Sequence, residues 1–111
     1  MKHQGRNQSY RDIAGVFRLL SHQGRLQIVD ELRKEEACVC HLQTVLGRPQ
    51  AYVSQQLRVL RDAGVVADRK DGLMVYYRLT DDRVTRVIEV VLGPAGRREC
   101  VPGCPCPKCS G

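Results

Sequence analysis

Nowhere does the 111-residue chain run for the ~18 apolar residues that a membrane span needs, and no charged start is followed by an apolar export segment. These two absences exclude a bilayer-spanning helix and a cleaved secretory leader, so a soluble cytoplasmic protein is expected. Acidic residues are in the minority, with 12 Asp and Glu against 18 Lys and Arg. The net charge of +6 points to an anionic partner. With no export signal, the 6 cysteines are better read as metal ligands or redox groups than as a disulfide framework.

Composition divides the chain into three parts. Residues 1–9 are polar, basic and aperiodic, and read as a flexible arm; residues 10–93 carry the fold; residues 94–111 form a cysteine-rich tail with almost nothing to bury. The central part is one small domain, and an apolar helix face left over on so small a core signals a homodimer.

From Tyr10, the apolar residues Ile13, Val16, Phe17 and Leu20 recur at helical steps, and Leu26, Ile28, Val29 and Leu32 form a second helix. A short helix from about Cys38 to Leu46 then meets Gly47-Arg48-Pro49, and a longer helix runs from about Gln50 to Ala63. Gly47 suits a helix end that needs positive φ, and Pro49 suits a helix start. A short helix, a tight turn and a longer helix make a helix-turn-helix. Val53, Leu57 and Leu60 face inward, leaving Gln50, Ser54, Gln55, Arg58 and Arg61 for base edges or phosphates of double-stranded DNA.

Two extended runs follow, Val65 to Arg69 and Leu73 to Leu79, with Asp71-Gly72 between them as a hairpin signal. Alternation puts Leu73, Val75, Tyr77 and Leu79 on one face, expected to be the buried one. The wing carries Arg69, Lys70 and Arg78 as candidate phosphate or minor-groove contacts. Thr80 is the expected cap of a last helix whose stripe includes Val84, Val87, Ile88 and Val91; with Ile13 these are the candidate dimer interface. The fold expected is therefore mainly α with a β-hairpin wing: a dimeric winged helix-turn-helix in the order helix-helix-helix-helix-strand-strand-helix.

Two groups of thiols remain. Cys38 and Cys40 sit one residue apart at a helix start, and Cys100, Cys104, Cys106 and Cys109 occupy the tail. Thiolates select soft ions such as As(III), Cd(II), Pb(II), Zn(II) or Cu(I). Two ligands make an incomplete site, so a third is expected from the tail; His41, His22 and His3 are weaker candidates. Eleven residues from Gly93 to Cys104 reach up to roughly 36 Å when extended, enough for either protomer. Residues two apart on a helix diverge by about 200°, so a shared ion requires a frayed or distorted first turn.

Over residues 10 to 92 the chain resembles the ArsR/SmtB family of metal-responsive repressors. The likeness is carried by Cys38-Val39-Cys40-His41-Leu42, by the run from Val53 to Val66, and by Tyr76-Tyr77-Arg78-Leu79. It implies a homodimer that binds an inverted-repeat operator and is released when a metal or metalloid binds the cysteines. His41 stands where the family often has Asp. Gln43 stands where some arsenic sensors have a third cysteine, and the N-terminus supplies none. Asp81 matches an acid of the last-helix zinc sites, but Arg83, Pro94 and Arg97 replace the other ligands, so such a site is not expected.

The leading reading is release by As(III) or a soft metal such as Cd(II) or Pb(II), with no organic cofactor. The alternatives are a redox- or sulfide-responsive repressor using the same thiols, and a DNA-binding protein with only a structural zinc site in the tail. Enzymatic function is not expected: Cys106 and Cys109 have oxidoreductase spacing, but no strand and helix to present them.

Overall fold

The apolar periodicity is realised as five helices and three strands among the described residues, 5–97, of the computed structural model, with side chains described from Tyr10 onward. α1 (Gly5–Leu20) starts five residues ahead of Tyr10, and α2 (Gln23–Leu32) follows after a two-residue break. Then come β1 (Ala37–Cys38), α3 (Val39–Leu46), α4 (Gln50–Asp62), β2 (Val66–Asp71), β3 (Met74–Leu79) and α5 (Asp82–Leu92). The winged helix-turn-helix expected from sequence is present, with one strand added.

The added strand is β1, which lies within the segment expected to open a helix. Ala37 and Cys38 pair antiparallel with Tyr77 and Tyr76, giving a sheet of order β1-β3-β2. A strand of two residues is too short to show alternation, so only its partner reveals it.

The hairpin turn is shifted by one residue. Asp71 pairs with Met74, which leaves Gly72-Leu73 as the loop in place of Asp71-Gly72. Gly72 takes φ +63°, which it tolerates without a Cβ penalty, while Asp71 stays in the ladder. Leu73, expected to be inward, is 99% exposed at the tip. Both faces of β3 are used: Tyr77 and Leu79 pack on the main core, while Tyr76 is buried with Cys38, with Met74 and Cys40 against them.

The main core joins Ile28, Val29 and Leu32 of α2 to Leu42 of α3, Val53, Leu57 and Leu60 of α4, and Val84 and Ile88 of α5. The last two correct the expected dimer interface: they are 0% and 2% exposed within a single protomer. The α5 stripe is wide enough to have two sides. Val84 and Ile88, one turn apart, face inward; Val90 and Val91 face outward beside half-buried Val87, and α1 adds the exposed Ile13 and Phe17.

The cap of α5 is Asp81, whose Oδ1 accepts the Arg83 N–H at 2.9 Å, and not Thr80. Thr80, just past β3, is held against the end of α4 by its own N–H on the Val65 carbonyl and its hydroxyl on the Gly64 carbonyl. Gly47 ends α3 at φ +66°, as its place in the turn requires.

Ile88→Ala is expected to lower the unfolding free energy by about 2–5 kcal/mol through a core cavity. Leu73→Ala at the wing tip should stay within about 0.5 kcal/mol. Chemical denaturation of both variants checks this, and equal losses would contradict the assignment of Ile88 to the protomer core.

Candidate thiol centre and nucleic-acid interface

Cys38 and Cys40 straddle a strand-to-helix junction. Cys38 has extended geometry (φ −86°, ψ 167°) and is the N-cap of α3; Cys40 lies in the first turn. The pair is therefore not constrained to the 200° divergence of a regular helix. Cys38 Sγ accepts the His41 backbone N–H at 3.4 Å, taking the role a serine or aspartate oxygen usually fills. Cys38 is 1% exposed and Cys40 half-buried.

Behind the thiols lies a buried polar pair. His41 Nε2 donates to Glu31 Oε1 of α2 at 3.0 Å, and Lys34 Nζ donates to Glu31 Oε2 at 3.1 Å. Burial raises the Glu31 pKa, but the hydrogen bonds from His41 and Lys34 and their charges outweigh it, leaving the carboxyl below its ordinary value. His41 is thus occupied as a tie between α2 and α3, and the His22 ring caps α2 through Nδ1. His3 and the tail thiols Cys100, Cys104, Cys106 and Cys109 lie outside the described residues. Among the described residues no group of three or more His, Cys, Asp or Glu side chains could hold a metal. Cys38 and Cys40 have the donor chemistry for a soft ion but need further ligands.

On α4 the structure exposes Gln50, Ser54, Gln55, Arg58 and Arg61 together, over an inner face of fully buried Val53, Leu57 and Leu60. Gln56 is buried on that inner face. Arg25 Nη1 donates to Gln56 Oε1 at 3.0 Å while Arg25 Nε donates to the Leu19 carbonyl at 2.8 Å, tying the end of α1 to the recognition helix. The wing is less free than its charges suggest. Arg61 pairs with Asp68 at 3.3 Å, and Arg69 is gripped by Glu36 and Asp71 while its guanidinium lies 4.8 Å from the Tyr76 ring centre. Hydrogen bonding to Glu36 raises the Arg69 pKa further. Lys70 and Arg78 are exposed, with no ion pair shown for either.

Sequence reasoning missed Glu36, Glu31 and Gln56. Gln56 had a readable signal, since positions 53, 56, 57 and 60 share one helical stripe. Glu31 offered only the i,i+3 spacing to Lys34 and nothing that pointed to His41, and Glu36 had no signal because its partner Arg69 lies 33 residues on.

A helix-turn-helix with its recognition helix exposed, followed by a basic hairpin, defines a winged-helix regulator. Residues 22–68 match the family described as bacterial regulatory protein, arsR family. The chain is 38% identical over 79 residues to a cadmium resistance transcriptional regulatory protein CadC homolog of Staphylococcus aureus, covering 70% of this chain and 65% of that protein. Reduced HlyU from Vibrio cholerae superposes with TM-score 0.74 at 30% identity, covering 79% and 93% of the two chains. The homodimeric winged helix-turn-helix DNA-binding domain of Mb0332 from Mycobacterium bovis gives TM-score 0.70 at 30% identity, covering 79% and 82%. The chain belongs to the ArsR/SmtB family of transcriptional repressors. Its relatives are regulators and not enzymes.

The depressed Glu31 pKa stabilises the fold above its unfolded value near 4.5, and this contribution is lost as pH falls through the lower folded value. Glu31→Gln is expected to cost about 1–3 kcal/mol at neutral pH. It should also flatten the acid limb of stability relative to wild type, read from denaturation midpoints between about pH 6 and pH 3. An unchanged acid limb would contradict this.

Proposed function

We propose that the protein is a homodimeric repressor released from an inverted-repeat operator when As(III) or a soft metal such as Cd(II) or Pb(II) is bound by cysteine thiolates. Cys38 and Cys40 hold the ion, completed by tail thiols among Cys100, Cys104, Cys106 and Cys109. Residues 10–93 serve DNA binding and dimerisation, and residues 94–111 serve the thiol centre. The observation that carries this reading is that Cys38 Sγ caps α3, the first helix of the DNA-binding pair. A bound ion would accept a lone pair from Cys38 Sγ and so compete with the His41 N–H for the sulfur's electrons.

Magnitudes say that the cap does not act alone. A hundredfold loss of operator affinity needs about 2.7 kcal/mol of coupling, within the ordinary range. Losing an N-cap costs about 0.5–2 kcal/mol. The remainder has a route through Tyr76, which packs on Cys38, and through Arg69, which joins Glu36 to the wing. Gln50, Ser54, Gln55 and Arg58 read the major groove, Lys70 and Arg78 meet phosphates, and the apolar face of Ile13, Phe17, Val87, Val90 and Val91 pairs the protomers. The homodimeric Mb0332 domain and the cadmium regulator support the dimer and the soft-metal signal by likeness.

A second reading keeps the repressor and replaces the ion with thiol oxidation or persulfide. The partial exposure of Cys40 and the likeness to a protein described as reduced HlyU favour it.

Operator release titrated with As(III), Cd(II), Pb(II), Zn(II) and Cu(I) under reducing conditions separates the readings. Wild type is expected to let go with at least one of these ions, while Cys38→Ser keeps operator binding and loses the release. Release by peroxide or persulfide alone would overturn the metal reading in favour of the thiol one. A normal metal response in a chain ending at Gly96 would confine the tail to a structural role.

A further inference from the structure

Beside the recognition helix lies a cleft of about 520 Å³, formed between the start of α2 and the turn joining α3 to α4. Its walls include His22, Gly24, Gln27, Arg48 and Tyr52, and no carboxylate among the described residues. The contrast with the cleft at α1 and α5 is informative, because that one places Asp12 and Asp81 among its arginines. In the first cleft the one cation has no carboxylate beside it, whereas in the second two aspartates offset part of the charge of three arginines.

Arg48 supplies that charge. Its guanidinium carbon stands 3.7 Å from the centre of the Tyr52 ring, a stacked arrangement that leaves the N–H edge of the group available to a further acceptor. The platform is itself seated by the fold. Tyr52 lies so close against α2 that a Cβ on Gly24 would stand 2.1 Å from the tyrosine oxygen, so only glycine admits the ring there. His22 Nδ1 accepts the Gly24 N–H at 3.2 Å, which leaves Nε2 as the proton-bearing nitrogen of the neutral imidazole. The cleft thus combines a cation fixed on an aromatic ring with neutral donors from His22, Gln27 and Tyr52.

Position names the ligand class. Tyr52 is in the first turn of α4 and Arg48 stands two residues before that helix begins, on the same helix end as the exposed Gln50, Ser54 and Gln55. When the N-terminal part of a recognition helix meets base edges, the sugar–phosphate backbone bounding the groove passes over that end of the helix. The geometry points to this cleft as a phosphodiester site for the operator backbone, with Arg48 as the charged donor and Tyr52 as its platform. The inference rests on the DNA-binding reading of α4 and adds a contact outside both the recognition face and the wing. Such a contact fixes register on the duplex and carries no base preference.

The test is equilibrium binding of the full chain and its Arg48→Gln variant to an operator duplex and to an unrelated duplex, from about 0.05 to about 0.3 M salt. Arg48→Gln is expected to weaken both complexes about fivefold at ~0.15 M salt and to make the log–log salt slope shallower by about one. Arg48→Lys should keep the slope, and Tyr52→Leu, which retains the charge without its platform, should fall between. One neutral methylphosphonate in the operator should weaken the wild-type complex and leave the Arg48→Gln complex unaffected. An unchanged affinity and slope for Arg48→Gln, while Arg58→Gln still loses binding, overturns the phosphate site and leaves the reading of α4 intact. A loss confined to the operator with the slope unchanged overturns it too, as a base contact. A wild-type chain that binds neither duplex overturns both inferences together.

Discussion

One backbone pairing holds the functional parts of this protein together: Ala37 and Cys38 against Tyr77 and Tyr76. It fixes Cys38 in an extended conformation, and only from there can the sulfur turn back to cap α3. The same residue is therefore a rung of the sheet and the first ligand of a helix. The Glu36 side chain, one step upstream, holds Arg69 of β2, and Arg69 in turn lies over Tyr76. Thiol box, wing and helix-turn-helix therefore meet within a few side chains of Cys38.

The helical part of this arrangement rests on two buried polar ties as well as on aliphatic packing. Glu31 with His41 joins α2 to α3, and Arg25 with Gln56 joins the α1–α2 junction to α4. Buried polar groups are costly unless paired, and their pairing favours one relative placement of the helices over its neighbours. The recognition helix is thus keyed to α1, whose apolar face carries Ile13 and Phe17, and to α3, whose cap is a thiol. Positive charge is distributed to match. Arg69, though exposed, is engaged by Glu36 and Asp71, while Arg48, Arg58, Lys70 and Arg78 are exposed without an ion pair among the described residues.

Much of this was legible in the residues. Helical spacing located the helices, Gly47 and Pro49 located the turn, and the stripe of Val53, Leu57 and Leu60 gave the orientation of the recognition helix. What was not legible involved contacts distant in sequence. β1 exists only because β3 offers it a partner, so no pattern within Ala37-Cys38 announces it. The hairpin is shifted by one residue, with Gly72 taking the positive φ and Asp71 kept in the ladder, and the pairing of β1 with β3 sets Tyr76 against Cys38. The stripe of α5 was visible as apolar, but its division into a core side and an outer side depends on where α1 and α2 lie. The spacing of Cys38 and Cys40 marked them as candidate ligands; that one of them caps a helix was not legible.

In the proposed mechanism, occupation of the thiols and binding of the operator oppose each other through Cys38. Linkage requires that opposition to be reciprocal. The most direct measurement is the equilibrium Cd(II) affinity of the free protein and of the protein saturated with operator DNA. A weaker affinity is expected in the DNA complex, by the same factor by which Cd(II) weakens operator binding. A Cd(II) affinity unchanged by the operator would contradict it.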